Sequence, residues 1–366
     1  MRVRSVTLQN YRNVPLAQLA LKGRRVFLEG ANGQGKTNFL EALGLVTALR
    51  SFRGAEAGVL IAQGQSEAGI ALELEHEVQG ETRVRIHLRG EGKEVWVDQE
   101  RMARLADFLG RFPTVVFSSQ DQQLIRGAPG ARRRWLDLTL SAVDPVYLQV
   151  LQTYHRGLAE RNALLKRGEL RAELSAFERT MAPAAETLLR LRRAGLEALA
   201  AQLTEAYALI ADQAEPVAFT YQPDWDEGGA EQFLEKLQQT RERDLRLRST
   251  SCGPHRDDFE FSLQGRSARE YASEGQQRLL VIALRLAQSA WFLAKTGVRP
   301  VLLADDVVGE LDPIRRARFW KALHPEAQVI ATGTERPTDA GPDWQLIHVH
   351  NGAFAESTNR PLSHVP

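Results

Sequence analysis

Three short stretches of this sequence place residue types at spacings that could do phosphate chemistry. Residues 30–37, GANGQGKT, match the pattern G-x-x-x-x-G-K-[ST], between a strand-like run (RVFLE) and a helix-like one (NFLEALGLVTAL). Gly30, Gly33 and Gly35 let the backbone turn its N–H groups inward, at a helix start that already favours anions. Ala31, Asn32, Gln34 and Asn38 would complete the wall of such a nucleotide site. Lys36 supplies a point charge to the β- and γ-phosphates, and Thr37 offers a hydroxyl to Mg²⁺. Residues 301–306, VLLADD, form an apolar strand that ends in two adjacent carboxylates. Asp305 is suited to hold the Mg²⁺ water shell, and Asp306 to orient or deprotonate an attacking water. Residues 271–280, YASEGQQRLL, put Ser273 three positions before Gln276 ahead of a long apolar run, a capping box. Gly275 within that first turn costs roughly 1 kcal/mol relative to Ala, and a capping box does not need it. A helix N-terminus with a hydroxyl and a bare glycine backbone is, however, an anion site.

The elements that must position these residues follow from periodicity. Strand-like patterns occur at 3–8, 25–28, 69–74, 83–88 and 95–98, with a further buried run at 111–118. From about residue 144 to 213 the chain becomes rich in Leu, Ala, Glu and Arg, and reads as helix. Pro183 is placed to start a helix, which predicts one long amphipathic helix over 186–214. Loop signals return at 222–229, followed by a short helix, a strand over 258–263, a helix over 277–295 stopped by Gly297, and a buried strand at 301–304. The order is β-rich, then helical, then α/β. It predicts an α/β head assembled from 1–120 and 245–366, with 121–244 a mostly helical inserted arm.

Composition narrows the class. The chain has 366 residues, 43% of them hydrophobic and 25% charged, enough for two or three ordinary globular domains. No run of 18 uncharged apolar residues occurs, and the first residues alternate like a strand rather than resembling a signal peptide, so a cytoplasmic location without a membrane tie is expected. A single cysteine, Cys252, excludes an internal disulfide framework and a Cys-rich metal site. The net charge is +1, so nucleic-acid binding would have to use local basic patches.

The phosphate loop, the SEGQQR cluster and the DD strand occur in the order of the ABC/SMC-type ATPase heads, which the chain resembles. The likeness narrows further. QNYRN (9–13), GANGQGKTNFLEAL, SFR (51–53), FSSQDQQLIRGAPGARRRWLD (117–137), CGPHRDDFEF (252–261) and ASEGQQR resemble the bacterial RecF family of DNA repair proteins, from residue 7 to about 335. That resemblance implies a P-loop ABC/SMC-type head, with mixed sheets around the phosphate-loop helix and an inserted helical arm. It implies that ATP with Mg²⁺ drives a homodimer, in which Ser273, Gly275 and Gln276 cap the γ-phosphate of the partner's nucleotide. It also implies a weak DNA-dependent ATPase that binds gapped DNA or single-strand/double-strand junctions and works with RecR and RecO to load RecA. A RecF-like regulatory or defence ATPase without a DNA role, and an ABC transporter subunit, are the alternative classes. GPHRDD argues against the second of these.

This chain departs from the family pattern at several positions. Gly309-Glu310-Leu311-Asp312 stands where the family usually has Ser-Glu-Leu-Asp, in a loop that crosses the dimer interface, so a hydroxyl is lost there. FSSQDQQ replaces Ser-Pro-Glu-Asp-Leu and leaves Gln120 as a contact for Mg²⁺ or the attacking water. The usual switch His is replaced by Thr332 or Thr334. Arg12 resembles an arginine that contacts nucleotide phosphates in related heads, and reads also as a surface residue. His255 with Asp257 and Asp258 could suggest a metal, but reads better as a structural or interface motif. Arg132, Arg133 and Arg134, Lys166 and Arg167, and Arg190, Arg192 and Arg193 are candidate DNA contacts, though charge runs of this kind also make solvated faces.

Overall fold

The computed structural model describes residues 1–168, 171–211, 215–226, 228–307, 309, 311–336 and 343–356. In chain order the first elements are β1 (Arg2–Tyr11), β2 (Val14–Ala20), β3 (Arg25–Glu29), α1 (Lys36–Ala48), α2 (Ala57–Leu60), β4 (Glu67–His76), β5 (Gly80–Arg89), β6 (Gly92–Val97), β7 (Glu100–Arg101) and β8 (Thr114–Ser118). The middle of the chain supplies α3 (Gln123–Arg126), α4 (Pro129–Ser141), α5 (Pro145–Arg167), α6 (Arg171–Ile210), β9 (Val217–Gln222), α7 (Ala230–Gln239), α8 (Arg241–Leu247), β10 (Asp258–Leu263), β11 (Arg266–Ser267), α9 (Ala268–Tyr271) and α10 (Glu274–Thr296). The last elements are β12 (Val301–Asp305), α11 (Pro313–Ala322), β13 (Val329–Gly333), β14 (Gln345–His350) and β15 (Ala353–Glu356). By compactness the chain divides into one unit of residues 1–120 with 288–366, and another of 121–287.

The first unit holds two sheets. One is antiparallel, in the order β2-β1-β4-β5-β6-β7, and its strands alternate buried and exposed residues as a sheet with one covered face must. The other has the order β15-β14-β3-β13-β12-β8 and is parallel except for β15. β3, β12 and β13 are continuous buried runs, as expected for parallel strands covered on both faces. Helix α1 packs on β8, β12 and β13 and also touches β1. Phe39, Leu40, Leu43, Leu45 and Val46 are buried around its circumference. Each such side chain contributes about 1.5–3 kcal/mol of burial, which fixes the helix that follows the phosphate loop. Gly44 lies in this helix where a Cβ would come within 3.3 Å of Phe52 and 3.4 Å of Val116, so the close packing explains the glycine.

The second unit is mostly helical. α5 and α6 pack along each other, α6 also packs on α7 and β9, and β9, β10 and β11 form a small antiparallel sheet. Because β10 pairs with β9, residues 258–267 are compact with the helices, and the second division falls at 287/288 rather than at 244/245. The long helix also differs from expectation. α6 begins at Arg171 and carries Pro183 in its interior rather than at its start. Pro183 sits on the exposed face, where water can take up the carbonyl that loses its intrahelical donor. The expected end of that helix at 212–214 lies outside the described residues. α10 was expected from 277 and runs from Glu274, across the division between the units, to Thr296. It is long and apolar enough to cross a membrane by length and composition alone, yet 61% of its most apolar window is buried in the protein, as in a core helix.

Candidate nucleotide site and signature helix

The phosphate loop joins β3 to α1 at the carboxyl end of the parallel sheet, where open α/β sheets bind ligands. Gly33 and Gly35 take φ values of 79° and 113°, a backbone region that strains any side chain. Gly30 is required for another reason: a Cβ there would lie 2.3 Å from the Val349 carbonyl oxygen. α1 has no side-chain cap, so its first N–H groups are left for a ligand. Lys36 is buried, and its Nζ donates to the carbonyls of Gly30 at 2.6 Å and Ala31 at 2.9 Å, inside the loop it would charge. Gln34 ties the loop to the turn after β14: its side-chain oxygen accepts from Asn351 N at 2.7 Å, and its carbonyl from Gly352 N at 2.9 Å.

Strand register brings the second motif to the loop. Ser118, Asp305 and Thr332 lie side by side on β8, β12 and β13, and Thr332 pairs with Leu28 of β3. Thr37 Oγ1 donates to Asp305 Oδ1 at 2.8 Å, and Thr332 Oγ1 donates to the same oxygen at 3.1 Å. Burial is the largest influence on Asp305 and raises its pKa, while the Thr37 and Thr332 hydrogen bonds pull it back. Asp306 is exposed with φ 58°, and its N–H donates to Thr332 Oγ1 at 3.1 Å. Thr332 therefore occupies the position beside both acids, whereas Thr334 is exposed. Gln120 is exposed two residues beyond Ser118, the residue in register with Asp305, and its N–H donates to Ser118 Oγ at 3.3 Å. Among the described residues no cluster of three or more His, Cys, Asp or Glu could hold a metal by itself.

Arg12 does not lie on the phosphate loop. Its Nε and Nη2 form a two-point ion pair with the fully buried Glu41, both at 2.8 Å, and that hydrogen bonding raises the guanidinium pKa. Its neighbour Asn13 reaches the phosphate loop. Asn13 Nδ2 donates to the Gly33 carbonyl at 3.3 Å, and Asn13 Oδ1 accepts from Asn38 Nδ2 at 2.7 Å. Asn38 Oδ1 in turn accepts from Arg53 Nη1 at 3.0 Å. Asn13 sits in the quoted QNYRN stretch, but its residue type alone carries no signal for this contact.

In the second unit the capping box forms in both directions. Ser273 N donates to Gln276 Oε1 at 2.9 Å, and Gln276 N donates to Ser273 Oγ at 3.3 Å. Ser273 is exposed, and Gly275 and Gln276 are half-buried. The neighbouring Gln277 is buried and closes the preceding turn by donating to the Ala268 carbonyl at 2.9 Å. In the 309–312 loop, Gly309 is exposed, Asp312 accepts from Arg315 N at 3.0 Å to cap α11, and Glu310 lies outside the described residues.

The arginine run divides. Arg132 is buried, forms a two-point ion pair with Asp258 at 2.6 and 2.8 Å, and also donates to the Leu124 and Gly127 carbonyls. Arg133 is half-buried and donates to the Asp257 carbonyl at 2.6 Å, while Arg134 is exposed. Arg192, also proposed from sequence as a DNA contact, is buried between Asp137 at 2.9 Å and Asp257 at 2.7 Å. Arg132 and Arg192 are thus structural cations that lock the RRR-x-LD and GPHRDD stretches together. A charge run cannot reveal this, because the acids lie far along the chain. His255 belongs to the same region: Tyr154 Oη lies 2.7 Å from its Nδ1, and its Nε2 lies 3.1 Å from the Thr250 carbonyl. Burial pushes its pKa down to about 4, so the ring is neutral, with Nε2–H donating and Nδ1 accepting. Lys166 is exposed in the last turn of α5, with Arg167 beside it, as a DNA contact requires.

The family model described as RecF/RecN/SMC N terminal domain matches residues 2–343. The DNA replication and repair protein RecF of Trichlorobacter lovleyi is 37% identical over 341 residues, covering 92% of each chain. That of a Synechococcus species is 34% identical over 376 residues, covering 98% of each. A solved structure described as the recombination mediator protein RecF-ATP in the RecFOR pathway superposes with a TM-score of 0.89 at 28% identity, covering 97% of each chain. An Smc head bound to the C-winged helix domain of ScpA shares the fold alone, with a TM-score of 0.55 at 14% identity over 98% of each chain.

Proposed function

The chain belongs to the RecF family of P-loop ABC/SMC-type ATPases, whose curated relatives are DNA replication and repair proteins, and from that premise we propose that it is an ATP-driven DNA-binding switch of recombinational repair. The observation that carries the proposal is the meeting of Thr37 and Asp305 at the mouth of a glycine-turned loop with a buried lysine. In this reading ATP displaces the Gly30 and Ala31 carbonyls from Lys36, whose ammonium then neutralises the β- and γ-phosphates. Gly33, Gly35 and the uncapped start of α1 give their N–H groups to the phosphate oxygens, with Asn32, Gln34 and Asn38 along the wall.

The Thr37 hydroxyl and the Asp305 carboxylate fit Mg²⁺, which takes one or two protein oxygens and completes its octahedron with phosphates and water. Thr37 and Asp305 would hold the ion, which would supply positive charge against the negative charge that develops on the phosphates. Gln120, two residues beyond Ser118, would supply a further oxygen to the metal or the attacking water. Asp306, exposed beside Asp305, orients or deprotonates the attacking water. Thr332 holds the Asp305 carboxylate and accepts from the Asp306 backbone N–H.

Ser273, Gly275 and Gln276 serve the nucleotide of a second copy. The dimer is isologous, each signature closing on the partner's phosphate loop, and hydrolysis opens it. The ATP-bound dimer holds DNA at a gap or single-strand/double-strand junction and works with RecR and RecO to place RecA on single strands. Slow, DNA-stimulated hydrolysis resets it. Support comes from the RecF relatives and from the exposed cations Arg134 and Lys166 on the second unit.

The test is a titration of fluorescent gapped DNA with and without ATP at several salt concentrations. ATP-dependent binding that weakens steeply with salt is expected. No ATP-dependent binding at low salt would leave a RecF-like ATPase without a direct DNA role.

A further inference from the structure

We propose that α8 and the end of α5 form a preorganised basic tip on the second unit that grips the phosphate backbone of duplex DNA, an inference that rests on the DNA-binding reading above. Arg243, Arg246 and Arg248 are exposed on and just after α8, and Lys166 is exposed in the last turn of α5. None of the four forms an ion pair among the described residues. Arg167 adjoins them, and Glu173 and Glu242 are the exposed acids of the same region; residue 169, a glutamate, lies outside the described residues. Most of the arginines on the exposed face of the antiparallel sheet, by contrast, are matched by acids, as in Arg83–Glu73, Arg89–Glu67 and Arg101–Glu94.

The two elements are held together. Leu245 packs against the Leu164, Leu165 and Leu174 cluster, and Thr250 N donates to Asn162 Oδ1 at 2.8 Å. Beneath α8 lies a fully buried ion network. Arg161 donates to Glu178 at 3.0 Å, to Asp244 at 2.8 Å and to Thr250 Oγ1 at 2.8 Å. Asp244 also accepts from Ser251 N at 3.0 Å, and Arg241 pairs with Glu178. Burying such charges contributes little net stability, but it permits few alternative placements of the seven-residue helix. The same segment whose Arg241 and Asp244 point inward therefore points Arg243, Arg246 and Arg248 outward from a fixed backbone.

Helix electrostatics account for only part of this charge. Arg246 and Arg248 sit at the C-terminal end, where the dipole favours cations, but Arg243 is in the first turn, where it does not. Arg243 and Arg246 are one turn apart on one face, and a spaced row of weakly hydrated guanidiniums suits a line of phosphates. Phosphate contacts position nucleic acid without reading sequence, so binding at this tip is insensitive to base sequence.

The experiment compares the protein with its Lys166→Ala/Arg243→Ala/Arg246→Ala/Arg248→Ala variant in ATP-dependent binding to labelled gapped duplex at several salt concentrations. Arg156→Ala, an exposed cation on α5 about 15 Å from Lys166 along the helix, is the control. The quadruple variant is expected to lose about tenfold or more in affinity, and to flatten the log–log salt slope by about 0.9 for each duplex phosphate contact removed. Thermal unfolding and ATP-dependent dimerisation should match the parent, and Arg156→Ala should bind as the parent does. Unchanged affinity, or weaker binding with an unchanged salt slope, would overturn the phosphate-gripping tip while leaving the DNA reading intact. If the parent itself shows no ATP-dependent DNA binding, both fall.

Discussion

The Thr37 hydroxyl donates to Oδ1 of Asp305 at 2.8 Å, joining residues 268 positions apart in the chain. β12 and β13 make this possible, since their register puts Thr332 against Asp305 and holds the carboxylate while it is largely removed from water. A buried carboxylate facing a phosphate loop is costly alone and useful beside a divalent cation.

Asp305→Asn keeps much of the shape and removes the charge. ATP affinity measured with Mg²⁺ is expected to fall by about 10–100-fold, and affinity measured in excess chelator to change little. The folded protein holds the Asp305 pKa above its ordinary value of 3.8, so protonating this group favours the nucleotide-free fold, and that gain is lost as pH rises through the raised pKa. Metal binding has the opposite sign, because it needs the carboxylate. Mg²⁺-dependent ATP affinity should therefore decline with falling pH sooner than an ordinary aspartate would dictate, and the Asn variant should lack that component. Calorimetric titrations of both proteins across mildly acidic pH would show it.

Arg132 and Arg134 are two residues apart and should behave as different kinds of residue. Arg132→Ala leaves Asp258 without its cation and is expected to cost about 3–5 kcal/mol in chemical denaturation. Arg134→Ala should stay within about 0.5 kcal/mol. Equal effects would contradict the assignment of Arg132 to the interior.

His255 makes stability fall in acid. Its folded pKa is about 4 against an ordinary 6.5, so its contribution is complete above 6.5, declines as pH falls through that window, and is gone below about 4. The depression corresponds to about 3 kcal/mol. His255→Gln should be less stable near neutrality but lose less on acidification between those pH values, as read from denaturation midpoints. A parallel decline in both proteins would remove His255 as the titrating group.

Much of the site was legible in the sequence because its chemistry is local. A phosphate loop needs glycines at fixed offsets, a capping box needs Ser273 and Gln276 three apart, and a strand ending in acids identifies itself. The residues misread were those whose partners are distant. Arg132 meets Asp258 126 positions away and Arg192 meets Asp257 65 positions away, and nothing in RRR or RLRR separates a buried cation from a solvated one. Arg12, read either as a nucleotide contact or as a surface residue, is paired with Glu41 on the buried side of α1, and Asn13 beside it reaches the loop. Pro183 read as a helix start because its cost inside a helix is large, yet that cost is met on an exposed face. In each case a tertiary partner or solvent overrode a sound local rule.

The central claim is that Ser273 completes a site belonging to another copy of the chain. Equilibrium ATP binding and sedimentation of Ser273→Arg, alongside Lys36→Met, test it most directly. Lys36→Met should neither bind ATP nor dimerise. Ser273→Arg should bind ATP with parental affinity and remain a monomer with it. A Ser273→Arg monomer unable to bind ATP, or one that dimerises with ATP as the parent does, would contradict the account.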